Sequence, residues 1–176
     1  MNVFVLNSGR CGSSTFIKAC HHIRNYSAGH ETLLSKTGKL RFSYPRNHIE
    51  ADNRLSWLLG RLEQAYGDNA FYVHLKRNPQ DTITSFAKRI DFGILKAYEQ
   101  GILMHEKHQL PAYDIARDYI ETVECNINHF LKDKSRTMTV SLETVKKDYS
   151  EFWTSINAQG DLGEALKEWD ITYNAS

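Results

Sequence analysis

The chain is poor in the residues that mark specialised classes of protein. It has 3 cysteines and 3 prolines among 176 residues, and Cys11, Cys20 and Cys125 form no Cys-x-x-Cys pair. That excludes a disulfide framework, and unpaired thiols imply a reducing compartment. Charge of one sign is scarce too: 22 Lys and Arg against 21 Asp and Glu leave a formal net charge of +1, with the signs interspersed. Without a basic stripe no nucleic-acid partner is expected, and without an acidic tail no basic one. No apolar run approaches the length of a membrane span, and Met1-Asn2-Val3 leads into a strand rather than a signal peptide. The expectation is a cytoplasmic protein without a membrane partner. His21, His22, His105 and His108 lie on polar stretches with no acidic or cysteine partner at ligand spacing, so no metal site is expected.

What the chain does have comes first. Val3-Phe4-Val5-Leu6 is a short apolar strand, residues 7–15 (Asn-Ser-Gly-Arg-Cys-Gly-Ser-Ser-Thr) a glycine-and-hydroxyl loop, and Phe16-Ile17 opens an apolar helix. A turn between a strand end and a helix start gathers backbone N–H groups and the positive end of the helix dipole around one anion. Arg10 adds a fixed positive charge there. No Lys follows Gly12, so a Walker-type nucleotide loop is excluded, and Gly9 and Gly12 alone do not make a dinucleotide fingerprint. Cys11 as a thiolate nucleophile has no histidine placed by sequence to act with it.

A second constellation follows further on. Residues 71–75 (Phe-Tyr-Val-His-Leu) read as a buried strand, Asn78 as an N-cap, Pro79 as the first helical residue and Asp81 as a favourable first-turn acid. Arg77 stands at the strand end and Ser85 two turns into the helix. If the two strands are parallel neighbours, both loops open into the crevice beyond the strand ends, where α/β sheets bind ligands.

These two motifs resemble those of sulfotransferases that use 3′-phosphoadenosine 5′-phosphosulfate (PAPS). Arg10-Cys11-Gly12-Ser13-Ser14-Thr15 is similar to that family's 5′-phosphosulfate loop, with Cys11 where Ser is usual. Arg77-Asn78-Pro79-Gln80-Asp81 with Ser85 is similar to its 3′-phosphate motif, and the eight-position spacing of Arg and Ser holds. The glycine-rich C-terminal motif of cytosolic members is absent, since Gly160-Asp161-Leu162-Gly163 is too weak a match. The resemblance implies that Arg10, Cys11, Gly12, Ser13, Ser14 and Thr15 bind the 5′ end of PAPS, that Arg77 and Ser85 bind its 3′-phosphate, and that PAP is the product. It also implies a small-molecule or glycan acceptor and no metal. Arg10 is expected at the leaving oxygen. For the general base it points to Glu31, with His30 and His48 behind it. A phosphotransferase or small-molecule kinase, or a catalytically silent nucleotide-binding module, would share the first loop.

Elsewhere the pattern is coarser. The first helix is expected over about 13–24, an irregular segment over 25–52, and a helix carrying Leu55, Leu58, Leu59 and Leu62 after Asp52 or Asn53. The cluster His48-Ile49-Glu50-Ala51-Asp52-Asn53-Arg54 reads as an acceptor-site lining or as helix-capping surface. A helix follows Pro79 to about Arg89, and 91–111 has no clean period. Residues 113–132 are the clearest helix, with Ala116, Ile120, Val123, Ile127, Phe130 and Leu131 on one stripe and Cys125 and His129 off it. Residues 137–142 form a third strand with Glu143 at its end, and helices near 148–157 and 161–169 close the chain. Trp57, Phe86 and Phe92 are the aromatic candidates for adenine stacking. Strands alternating with helices give a fold class of α/β: a three-layer, P-loop-like fold with a short parallel sheet of three to five strands flanked by helices, in a single domain over 1–176.

Overall fold

The structure is a computed structural model and describes residues 1–105 and 109–171; the His108 expectation lies outside them. Five strands make one sheet: Val3–Leu6 (β1), Ser27–His30 (β2), His48–Ala51 (β3), Phe71–Lys76 (β4) and Thr137–Ser141 (β5). Their order is β2-β3-β1-β4-β5 and every pairing is parallel. β1 is central and wholly buried, as expected of a parallel strand covered on both faces. Its alternate side chains feed two separate cores, Val3 and Val5 on one face and Phe4 and Leu6 on the other.

Helices fill both outer layers. Ser13–Cys20 (α1), Val145–Ser155 (α6) and Leu162–Lys167 (α7) cover the first face, where Phe16 meets Tyr149 and Phe152 with ring centroids 5.4 and 5.0 Å apart. Leu59–Tyr66 (α2), Pro79–Ala87 (α3), Gly93–Gly101 (α4) and Ala112–Leu131 (α5) cover the second. The α5 stripe is as expected: Ala116, Ile120, Val123 and Ile127 are buried, Phe130 and Leu131 pack beside them, and Cys125 and His129 are exposed. Among the described residues no helix is long and apolar enough to cross a membrane.

Several expectations are corrected. The 25–52 segment is not irregular but contributes β2 and β3. Their polar sequences hide them, because His48 and Glu50 occupy a buried sheet face. α1 stops at Cys20 rather than near residue 24, since Ile23 bridges to Gly160 and the Arg24 N–H donates to the Gln159 carbonyl at 2.6 Å. The helix expected across Leu55 to Leu62 is broken into a 3-10 turn, Asn53–Trp57, and α2. Within that turn the Ser56 hydroxyl donates to the Asn7 carbonyl at 3.1 Å, which draws the chain onto the first loop. Residues without a clean period form α4, whose Leu95 and Tyr98 are buried. α6 starts three residues earlier than expected.

Gly160 has a packing role. A methyl group there would lie 2.0 Å from the His22 carbonyl oxygen, in backbone that cannot yield like a side chain. Gly160→Ala should therefore destabilise the fold by about 2 kcal/mol or more. The check is a lower urea midpoint with an unchanged slope.

Candidate active site

The two sequence motifs meet at the carboxyl edge of the sheet. β1 and β4 are paired from Val3 with Phe71 to Leu6 with His74, so their following loops leave side by side. The first loop turns on left-handed backbone at Gly9 (φ 98°), Arg10 (φ 59°) and Gly12 (φ 86°). Space is tight at Gly9 as well, because a Cβ there would sit 3.0 Å from the side chains of Asn53 and Phe86.

The loop is held by its carbonyls. The Ser8 carbonyl accepts from the Tyr119 hydroxyl at 2.7 Å, and the Asn7 side chain accepts the Gly9 N–H at 2.9 Å. The loop then runs directly into the N–H groups at the start of α1. Gly12 is the N-cap residue and supplies no side-chain acceptor to them, while the first helical bond runs from the Phe16 N–H to the Gly12 carbonyl at 2.9 Å. A helix start with uncapped donors and a favourable dipole is an anion-binding geometry.

The second motif forms as its residue types dictate. The Asn78 side chain accepts from the N–H groups of Gln80 and Asp81, with Pro79 in the first helical turn. Glu143 accepts the Asn78 N–H at 2.6 Å, so this carboxylate braces the turn from the end of β5. Two contacts join the motifs directly. The Arg10 Nε–H donates to the Ser85 hydroxyl at 2.9 Å, and an Arg77 Nη1–H donates to the Arg10 carbonyl at 3.4 Å. Arg10, expected at the leaving oxygen, thus reaches the second motif through its guanidinium. Burial, then the charges of Arg89 and Arg77, lower the Arg10 pKa from its usual value.

The three base candidates separate clearly. His30 ends β2, and its Nε2 lies 3.0 Å from the Ser13 hydroxyl at the start of α1. Glu31 follows in left-handed backbone (φ 56°), its carboxylate 2.9 Å from Arg54 Nη1. His48 is a correction. It begins β3, level with Asn2 at the amino edge of the sheet, some five residues or roughly 16 Å of strand from the loop. Both its ring nitrogens are engaged, with Ser27 at 2.8 Å and Glu50 at 2.9 Å, and it is buried. The 48–54 cluster is thus mainly a strand, and its Asp52 is a fully buried partner of Arg41 rather than an acceptor lining.

The aromatic candidates divide as well. Phe86 is wedged beneath Gly9 and Trp57 packs against Tyr98 and Tyr119, whereas Phe92 is 73% exposed. Sequence reading missed Tyr119, which supports Ser8 from α5, and it named Asn53 and Arg54 only within the 48–54 cluster, not as neighbours of Gly9 and Glu31.

No protein-family model and no curated protein matches the sequence. Among solved structures, the chain is similar to a sulfotransferase domain from the curacin biosynthetic pathway. The TM-score is 0.64 at 15% identity, over 97% of this chain and 78% of that one. At that identity the likeness establishes the fold, an α/β sandwich on a five-stranded parallel sheet.

Cys11 contributes backbone to the loop and not a nucleophile. Its thiol donates to the Gly9 carbonyl at 3.1 Å, and burial pushes its pKa up to about 11. Cys20, fully buried, is pushed up to about 12. A thiol reacts as its thiolate, so iodoacetamide at pH 8 should modify the exposed Cys125 alone in the folded protein and all three cysteines in urea. Mass spectrometry of the intact chain counts the adducts; rapid labelling of native Cys11 would contradict this.

Proposed function

We propose that this chain is a PAPS-dependent sulfotransferase acting on an acceptor hydroxyl or amine, as a single domain over 1–176. The observation that carries the reading is the direct union of two anion-binding motifs at neighbouring strand ends, through Arg10–Ser85 and Arg77–Arg10. A donor with a phosphosulfate at one end and a phosphate at the other needs two such sites in one crevice. The fold likeness to a sulfotransferase domain supports the same reading.

The work of the residues follows from the reaction. Backbone N–H groups of residues 11–15 would hold the 5′ end, aided by the Ser13 and Ser14 hydroxyls, and Arg77 with Ser85 would hold the 3′-phosphate. The acceptor oxygen or nitrogen attacks sulfur in line, the sulfur–oxygen bond to the phosphate breaks, and PAP leaves with the electron pair. As in phosphoryl transfer, positioning and charge stabilisation supply most of the rate. The acceptor proton goes to a base at the end of β2. His30, hydrogen-bonded at the loop itself, has the shorter reach; Glu31, paired with Arg54, is its neighbour.

The donor half is tested by binding. Arg grips a phosphate through a planar fork and Ser through one hydroxyl, so Arg77→Ala should weaken PAP binding by ~2–3 kcal/mol and Ser85→Ala by less. Adenosine 5′-phosphosulfate, which lacks the 3′-phosphate, should be a poor donor. Calorimetry with PAP beside ATP–magnesium separates this reading from a kinase, and sulfuryl transfer from labelled PAPS separates it from a silent binding module.

The base is tested by turnover. His30→Ala and Glu31→Gln should each leave PAP affinity near wild type, and the one that removes the base should cut transfer by ~10²-fold or more. Normal turnover in both variants would remove the end of β2 from the chemistry.

A further inference from the structure

A second set of reactive side chains lies on β2 and β3, toward the amino edge of the sheet and away from the two loops. Ser27 is exposed, and its hydroxyl lies 2.8 Å from Nδ1 of the buried His48. The other ring nitrogen, Nε2, lies 2.9 Å from Glu50, which is fully buried. Glu50 is fixed in turn by the Thr32 N–H at 2.8 Å and by the Thr32 hydroxyl. Tyr44 stacks on the imidazole, with ring centroids 5.5 Å apart and planes within 12° of parallel, which sets the plane of the ring. Gly29 leaves space beside the pair. A methyl there would come within 3.1 Å of the Glu50 carboxylate and 3.3 Å of the His48 ring. β2 is also an edge strand. The Ser27 and Glu31 N–H groups donate inward to the Asn47 and Ala51 carbonyls at 2.9 and 3.1 Å, so alternation turns the Ala28 N–H outward.

We propose that Ser27, His48 and Glu50 form a second reactive site, a serine nucleophile with its base and orienting carboxylate, that acts on small carboxylic esters. Nucleophile, base and carboxylate stand in the order and at the distances that such activation requires. With the Nε2 proton donated to Glu50, Nδ1 accepts the Ser27 proton. Ser27 Oγ then adds to the ester carbonyl carbon, the C–O bond breaks, and the alcohol leaves with the proton from His48. Water, its proton taken by His48, next frees the carboxylic acid and restores the Ser27 hydroxyl. The Ala28 N–H, on the residue after the nucleophile, is the donor for the carbonyl oxygen as it gains charge. None of these three side chains serves the donor site, so the inference is independent of the PAPS reading. The structural alternative is that the hydrogen bonds only satisfy a buried carboxylate.

An alkyl fluorophosphonate, which loses fluoride to an activated serine hydroxyl, tests the site together with p-nitrophenyl acetate. Native wild type should gain a single adduct, mapped to Ser27 by peptide mass spectrometry, and should hydrolyse the ester above its rate in buffer. Ser27→Ala should do neither. His48→Gln keeps hydrogen-bonding groups but removes the base, and should slow labelling by ~10²-fold or more. If that variant does not fold, urea-unfolded wild type supplies the comparison and should stay unlabelled. No adduct on the native chain, an adduct on a different residue, or labelling of His48→Gln or of the unfolded chain at the native rate overturns the proposal.

Discussion

The parallel pairing of β1 with β4 at the centre of the sheet is the constraint on which the site depends. It sets two strand ends side by side, and each is followed by a turn into a helix start. β1 reaches this position only because both its faces are buried, one under α1 and α6, the other under α3 and α5. The two cores thus fix the spacing of the two anion motifs. Arg10 and Arg77 close the remaining gap, one through its side chain and the other onto a backbone carbonyl.

Buried polar groups then determine what stands beside the two loops. Glu50 is fully buried at the heart of β3, and such a carboxylate is tolerable only with several donors. The Thr32 N–H (2.8 Å) and His48 (2.9 Å) bond to it, with the Thr32 hydroxyl closing the set. These bonds clamp the chain beyond β2 onto β3. Asp52, also fully buried, accepts from Arg41 and from the Arg54 N–H, and Arg54 in turn holds Glu31. His30 and Glu31 are therefore set by a polar layer beneath them rather than by their own loop. Gly29 belongs to this arrangement, since a methyl there would come within 2.4 Å of the Thr32 side chain.

Legibility followed the kind of interaction. β1 and β4 were readable as short apolar runs, α5 by its helical stripe, and the start of α3 because Asn78 and Pro79 act within four residues. β2 and β3 were not, because Ser27-Ala28-Gly29-His30 and His48-Ile49-Glu50-Ala51 have little intrinsic preference for a strand and gain it through lateral pairing. A buried His and Glu on one strand face also break the alternation by which a strand is recognised. The break between Trp57 and Leu59 was invisible for a related reason: Ser56 is turned by a carbonyl 49 positions away.

For the site, local sequence determined the two anion motifs, since backbone turns and helix starts depend on neighbouring residues. The family resemblance, not local sequence, pointed to His30 and Glu31. Only tertiary structure decided that His48 stands at the far edge of the sheet, because strand register is a pairing between distant segments. It decided as well that Arg10 leans toward Ser85, and that Tyr119 supports Ser8 across 111 positions of chain. A long side chain at a strand end can reach in several directions, and the packed neighbours choose among them.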